Sequence, residues 1–194
     1  MLRILLIRPG ETDYDREERI QGTLDIPLND EGVQEVARLV EQLAGHGIEV
    51  VYAPTSQPAK QTAEAIAKGL GVKYKRLERL QNVDHGLWQG MPIEEVRQKQ
   101  PRVYKQWQEQ PDNVCPPEGE MLSEADERVR PAMNRLLKKH REGAIALVVP
   151  EPLASLVRRF VNQTELGDLW KSVRSHGQWE LLEVEPRKVP VSAP

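Results

Sequence analysis

Nucleophilic and acid–base chemistry near neutral pH draws first on histidine and cysteine. The chain has four histidines and one cysteine, Cys115. A lone cysteine cannot form an internal disulfide, so nothing points to an oxidising compartment. His46 falls at the end of one helical pattern and His140 in the last turn of another, where an imidazole meets solvent or the negative end of the helix dipole. His85 lies in a loop after a strand and reads as a histidine packed on its neighbours, with a ligand contact as the alternative. His176 stands just before the last strand. Arg8 follows the first strand directly, a fixed positive charge suited either to an anion or to a structural ion pair.

The elements that must position these residues follow from periodicity. Leu2 to Ile7, Val50 to Ala53, Val72 to Leu77, Ala144 to Val149 and Gln178 to Val184 are short apolar or β-prone runs and predict strands. Between them, 29–47 carries Val33, Val36, Ala37, Val40 and Leu43 or Ala44 at helical spacing, with Asn29 or Asp30 as cap. Helices are also predicted from Ser56, as cap, to Gly69, over 94–108, over 123–140 and over 153–161, with a Pro-rich loop at 110–120. This alternation predicts an α/β three-layer α/β/α sandwich with a mostly parallel sheet. Ligands of such sheets bind beyond the carboxyl ends of the strands, here 8–12, 53–60, 81–90 and 150–153. The expected organisation is one domain over 1–185 and a loose C-terminal tail over 186–194.

Composition narrows the function classes. The 194 residues are 39% hydrophobic and 29% charged, the make-up of a globule rather than a disordered chain. Lys and Arg number 27 against 30 Asp and Glu, a net charge of −3, which argues against a general nucleic-acid binder. The apolar runs at Ile4–Ile7 and Ala144–Val149 are far too short to span a membrane, and MLRILLIR does not read as a secretory signal. The expectation is a cytoplasmic protein without cofactor, binding neither nucleic acid nor membrane; its protein or small-molecule partner and its oligomeric state are not legible.

The strand ends carry a further pattern. Arg8-Pro9-Gly10-Glu11-Thr12 resembles the opening Arg-His-Gly-Glu-Thr of the histidine phosphatase superfamily, the phosphoglycerate-mutase-like proteins. The likeness continues through Arg19-Ile20-Gln21-Gly22, Asp25-Ile26-Pro27-Leu28 and Gly32. It returns at Ala59-Lys60-Gln61-Thr62-Ala63-Glu64-Ala65-Ile66, at Gly86-Leu87-Trp88-Gln89-Gly90 and at Pro116-Pro117-Glu118-Gly119-Glu120. Six short pieces in order, spanning about 2–185, imply the phosphoglycerate-mutase-like fold.

The resemblance also implies a site, with a strand-end histidine as nucleophile, two arginines and a second histidine on the phosphoryl group, and a carboxylic acid for the leaving oxygen. At those positions this chain has Pro9 for the nucleophile, Arg8 for the first arginine, Pro58 for the second, Asn82 for the acid and Glu151 for the second histidine. A phosphate-cradling asparagine corresponds to Asp15. Ser175-His176-Gly177 copies the second-histidine tripeptide, but its place before the last strand reads as coincidence. No catalytic residue is intact and no metal site is expected; Arg8, Asp15, Gln21, Gly22 and His85 remain candidate ligand contacts. The retained glycines and Trp88 could equally serve turns and packing.

The implied charge changes sign. Two arginines against one carboxylate become Arg8 against Asp15 and Glu151, so Arg8 is expected to be neutralised by one of them. The leading expectation is therefore a catalytically inactive member with a binding, regulatory or structural role. The alternatives are an active phosphomonoesterase or mutase with a non-standard site, and a new activity using Asp15 and Glu151 as general base or as oxygen ligands for a hard cation.

Overall fold

The computed structural model describes residues 1–184; the expected tail at 186–194 lies outside them. Five strands form one sheet: β1 (Leu2–Ile7), β2 (Ile48–Ala53), β3 (Lys73–Arg76), β4 (Gly143–Val148) and β5 (Trp179–Val184), in the order β3-β2-β4-β1-β5. The pairs β1–β4, β2–β4 and β2–β3 are parallel, with Leu2 opposite Gly143 and Ile7 opposite Val148. β5 is antiparallel to β1, placing Trp179 opposite Ile7.

The helices are α1 (Asp13–Arg16), α2 (Asp30–Leu43), α3 (Gln57–Leu70), α4 (Ile93–Lys99), α5 (Pro101–Glu109), α6 (Leu122–Lys139), α7 (Leu153–Asn162) and α8 (Leu169–Ser172). Strand alternation divides the core between two faces. Leu5 and Ile7 of β1, with Ala144, Ala146 and Val148 of β4, pack on Val36, Leu39 and Leu43 of α2 and Ala59, Ala63 and Ile66 of α3. Ile4, Leu6, Ile145 and Leu147 face the other way, toward Val129, Met133 and Leu136 of α6, Leu156 and Phe160 of α7, and Trp88, Trp107 and Trp170. The three-layer α/β/α sandwich is thereby realised.

Two local expectations are corrected. The helix read over 94–108 is two helices, because Pro101 has no N–H to continue the ladder and drives Gln100 out of helical geometry, to φ −134° and ψ 57°. Ser56 stands at the N-cap of α3 but its hydroxyl makes no capping bond, whereas Asn29 caps α2 by accepting from Gly32 N at 2.8 Å. The short helices α1 and α8 carry too few apolar residues to show a period.

Two glycines are needed by the fold itself. A Cβ on Gly32 would stand 2.1 Å from the Glu11 carbonyl oxygen, because the start of α2 presses on the turn after β1. Gly86 holds φ +51°, and a Cβ there would strike the Pro117 carbonyl at 2.1 Å. These contacts join the motif pieces to one another with no reference to chemistry.

Candidate functional site

The parallel strands end at a small cavity of about 40 Å³ lined by Pro9, Thr12, Asp15, Gln21, Gly22, Pro58, His85, Glu151 and His176, among others. That volume admits a few waters. It lies about an order of magnitude below the ~300 Å³ at which small-molecule pockets begin.

β1 delivers Arg8 and Pro9, and the turn beyond is fixed from its neighbours. Pro9 O accepts from Gly177 N at 2.7 Å, and Gly10 N donates to the Thr62 hydroxyl at 3.1 Å. Thr12 and Asp15 form a reciprocal cap of α1: the Asp15 carboxylate accepts from Thr12 N and Oγ1, both at 2.7 Å. Burial raises the Asp15 pKa, against those two hydrogen bonds. Asp15 therefore spends its carboxylate on the cap, and the expectation that it neutralises Arg8 is corrected.

Arg8 does not line the cavity. Its Nη1 donates to Glu180 Oε1 at 2.6 Å, and its Nε stands 3.7 Å from Glu151 Oε1. Arg158 of α7 closes the cluster, with Nε 3.0 Å from both Glu180 oxygens and Nη2 3.5 Å from Glu151 Oε1. Two guanidiniums and two carboxylates make the cluster neutral. Glu151 is the most enclosed member, its side chain 2% exposed. Its Oε2 accepts from Ser155 N at 3.0 Å and Ser155 Oγ at 2.7 Å. Burial raises the Glu151 pKa, while Ser155, Arg8 and Arg158 pull the other way.

Asn82 also sits outside the cavity lining. Its side-chain N–H groups donate to the carbonyls of Gly22 and Glu151, each at 3.0 Å, tying the two walls together. Pro58 stands in the first turn of α3, where a missing N–H costs little, and presents only a ring to the cavity. His85 is 4% exposed, packs edge-on against Trp107 at 5.3 Å between centroids, and has a buried Nδ1 without a hydrogen-bond partner. Burial pushes its pKa down to about 4, so at neutral pH it is uncharged and does not serve as a cation for phosphate.

Of the residues singled out from sequence, Pro9, Asp15, Gln21, Gly22, Pro58, His85 and Glu151 thus share one cavity wall, and Arg8 and Asn82 stand behind it. His176 is a correction: it borders the cavity as well. Because β5 is antiparallel, its first residue lies beside the last residue of β1, and the segment before it arrives at the strand ends. His176 Nδ1 is 2.8 Å from Glu35 Oε1, and Nε2 is 3.8 Å from Glu11 Oε2, so its ring is held by carboxylates of the neighbouring elements. Glu180 and Arg158 were missed entirely. The one available signal was the spacing of Ser155 and Arg158, which places them on one face of the helix that follows Glu151. Cys115 is free and exposed and is not among the residues lining this cavity. Among the described residues, no group of three or more His, Cys, Asp or Glu could hold a metal ion, so pairing Asp15 with Glu151 as a cation site gains no support.

Residues 4–193 match the sequence model of the "Histidine phosphatase superfamily (branch 1)". The chain is 25% identical over 189 residues to "Phosphoserine phosphatase 1" of Hydrogenobacter thermophilus, covering 97% of this chain and 89% of that protein. It is 30% identical over 141 residues to "Probable phosphoglycerate mutase GpmB" of Cronobacter sakazakii, covering 71% and 64%. Three mycobacterial relatives are longer, and the chain spans 43% of each. Among solved structures, "Bacillus stearothermophilus YhfR" superposes with a TM-score of 0.83 at 26% identity, over 95% of this chain and 92% of that one.

Proposed function

This chain belongs to the histidine phosphatase superfamily, and from that premise we propose that it is a catalytically silent member, keeping the fold for a binding, regulatory or structural role. The observation that carries the reading is Pro9 at the strand end where the resemblance implies a nucleophile. Proline offers no side-chain atom able to attack phosphorus, so the phospho-enzyme route has no first step. The surroundings support the same reading. Arg8 is committed to Glu180 and Glu151, Glu151 occupies the place implied for a second histidine, and Asn82 supplies no proton. His85 and His176 border the cavity, but His85 lacks charge and His176 is engaged by Glu35, so neither replaces the full set of nucleophile, clamp and acid.

The relatives' names favour the competing reading, an active phosphomonoesterase or mutase, and one experiment separates the two. Purified protein is assayed on a broad panel of phosphate esters, phosphoserine and 3-phosphoglycerate among them, beside Arg8→Ala and Pro9→His variants. The silent reading expects no turnover above buffer, and none in Pro9→His, because groups acting as a unit are not restored singly. Wild-type turnover abolished by Arg8→Ala would overturn it.

A further inference from the structure

On the far side of the sheet from α2 and α3, a groove of about 380 Å³ runs between the β3 edge and α6. It shares no residue with the cavity at the strand ends. Its walls carry Lys75, Arg76, Arg79, Arg135 and Lys139 against one carboxylate, Glu78, a local charge of +4 in a chain whose net charge is −3.

The placement is systematic. Ala132, Arg135, Leu136 and Lys139 recur at the spacing of one helical face, so the two apolar side chains pack inward while the two cations lean into the groove. Lys75 projects from the edge strand, and Arg79 from the turn beyond it. The floor is Tyr52, a buried ring whose hydroxyl lies 2.9 Å from His140 Nε2 and whose face has the Lys139 ammonium 5.6 Å from its centroid.

These cations lack the carboxylate partners that many other cations have, and what sets them apart from other unpaired cations such as Lys68 and Arg102 is that they share one groove. Arg16, Arg19, Arg38, Arg97, Lys99, Arg128, Arg130 and Arg174 each stand within 4 Å of a carboxylate. Among the described residues no ion pair joins any of the five groove cations, not even to Glu78. Lys139 lies close enough to Lys75 to depress its proton affinity, while Tyr52 favours the charged form of Lys139.

We propose that this groove binds a compact polyphosphate, a chain of two or more linked phosphates, whether inorganic or the tail of a nucleotide. Several cations spread over a strand, a turn and a helix suit a ligand with several anionic centres better than one orthophosphate. The volume falls within the range of small-ligand sites. No exposed aromatic offers a base a stacking surface, since Tyr52 is buried, so the phosphate chain and not the nucleoside supplies the recognition. The same lack of an exposed aromatic anchor speaks against an acidic protein segment.

Calorimetric titration of the whole protein with tripolyphosphate, ATP, orthophosphate, a poly-glutamate peptide and a short single-stranded RNA tests this. Tripolyphosphate is expected to bind saturably at ~10 µM at low ionic strength, with affinity falling as salt rises. ATP should match it if a nucleotide tail is read as well as the free chain; tighter tripolyphosphate binding assigns the inorganic source, and clearly tighter ATP binding, which needs a nucleoside contact, overturns recognition by the phosphate chain. Lys75→Gln/Lys139→Gln should weaken binding about tenfold or more, while Lys99→Gln/Lys105→Gln, the same charge change elsewhere, leaves it unchanged. The ligand-free melting temperature of the groove variant should hold or rise, because it relieves a like-charge contact. No saturable binding up to ~1 mM, equal weakening in both double variants, or tighter binding of peptide or RNA overturns the proposal. Loss of binding in Arg8→Ala, with the groove variant unaffected, also overturns it by assigning the ligand to the strand-end cavity.

Discussion

Acidification should unfold this protein partly through one imidazole. His85 is buried against Trp107 with Nδ1 unpaired, and its pKa is lowered from 6.5 to about 4 by desolvation, with Asp84 and Glu120 acting weakly the other way. Between those two values the unfolded chain takes up a proton that the folded chain refuses. Stability from this group is therefore complete above pH 6.5 and is lost as pH falls toward 4, below which both states are protonated. The full difference is about 3 kcal/mol, and about 2 kcal/mol is already lost at pH 5. Asp15 and Glu151 work in the opposite sense: with folded pKa values raised, they remove stability as pH rises from the ordinary carboxylate range. The contribution of His85 is isolated by comparison with His85→Gln, in which the carboxylates remain. Urea unfolding of both proteins from pH 7.5 to 4 should give a stability difference that moves in the variant's favour by about 2 kcal/mol on reaching pH 5. A difference that stays flat across that range would refute the reasoning, by showing that His85 is solvated or paired when charged.

Other outcomes follow from the same site. Glu151→Ala should cost about 3 kcal/mol by denaturant titration, since Ser155 loses its acceptor and the buried Arg8 and half-buried Arg158 lose a counter-charge. Glu151→Gln should cost only about 1 kcal/mol, because it keeps an acceptor for Ser155 and removes a charge that burial already disfavours; equal losses would contradict this division. Gly32→Ala should lower stability by about 2–3 kcal/mol and be visible as a lower melting temperature, because its Cβ meets the Glu11 backbone rather than a side chain that can move aside.

Much of the architecture was legible because apolar periodicity is local. Leu5 and Ile7 alternate with Ile4 and Leu6, and the two sets separate onto the two faces of the sheet. The break at Pro101 was equally local, and was passed over because the apolar spacing runs across it. The site was legible as positions but not as pairings. Arg8 was expected to meet Asp15 or Glu151, yet its short bond is to Glu180, a residue 172 positions away. That partner depends on β5 running antiparallel beside β1, which no local pattern reports. The same reversal brings His176 to the cavity, where counting elements from the sequence had placed it elsewhere. Asp15 was misassigned for the reverse reason: its cap with Thr12 is three residues long, and a long-range role was preferred to it.

We propose that the place where the family holds phosphate is, in this chain, a neutral ion-paired cluster. Titrating orthophosphate into the wild-type protein by calorimetry at neutral pH, beside Arg8→Ala, tests it most directly. With Arg8 and Arg158 balanced by Glu151 and Glu180, and Asp15 facing the cavity, phosphate should give no saturable heat that depends on Arg8 up to ~10 mM. Saturable binding in the millimolar range or tighter, abolished by Arg8→Ala, would contradict the account and restore the cavity as an anion receptor.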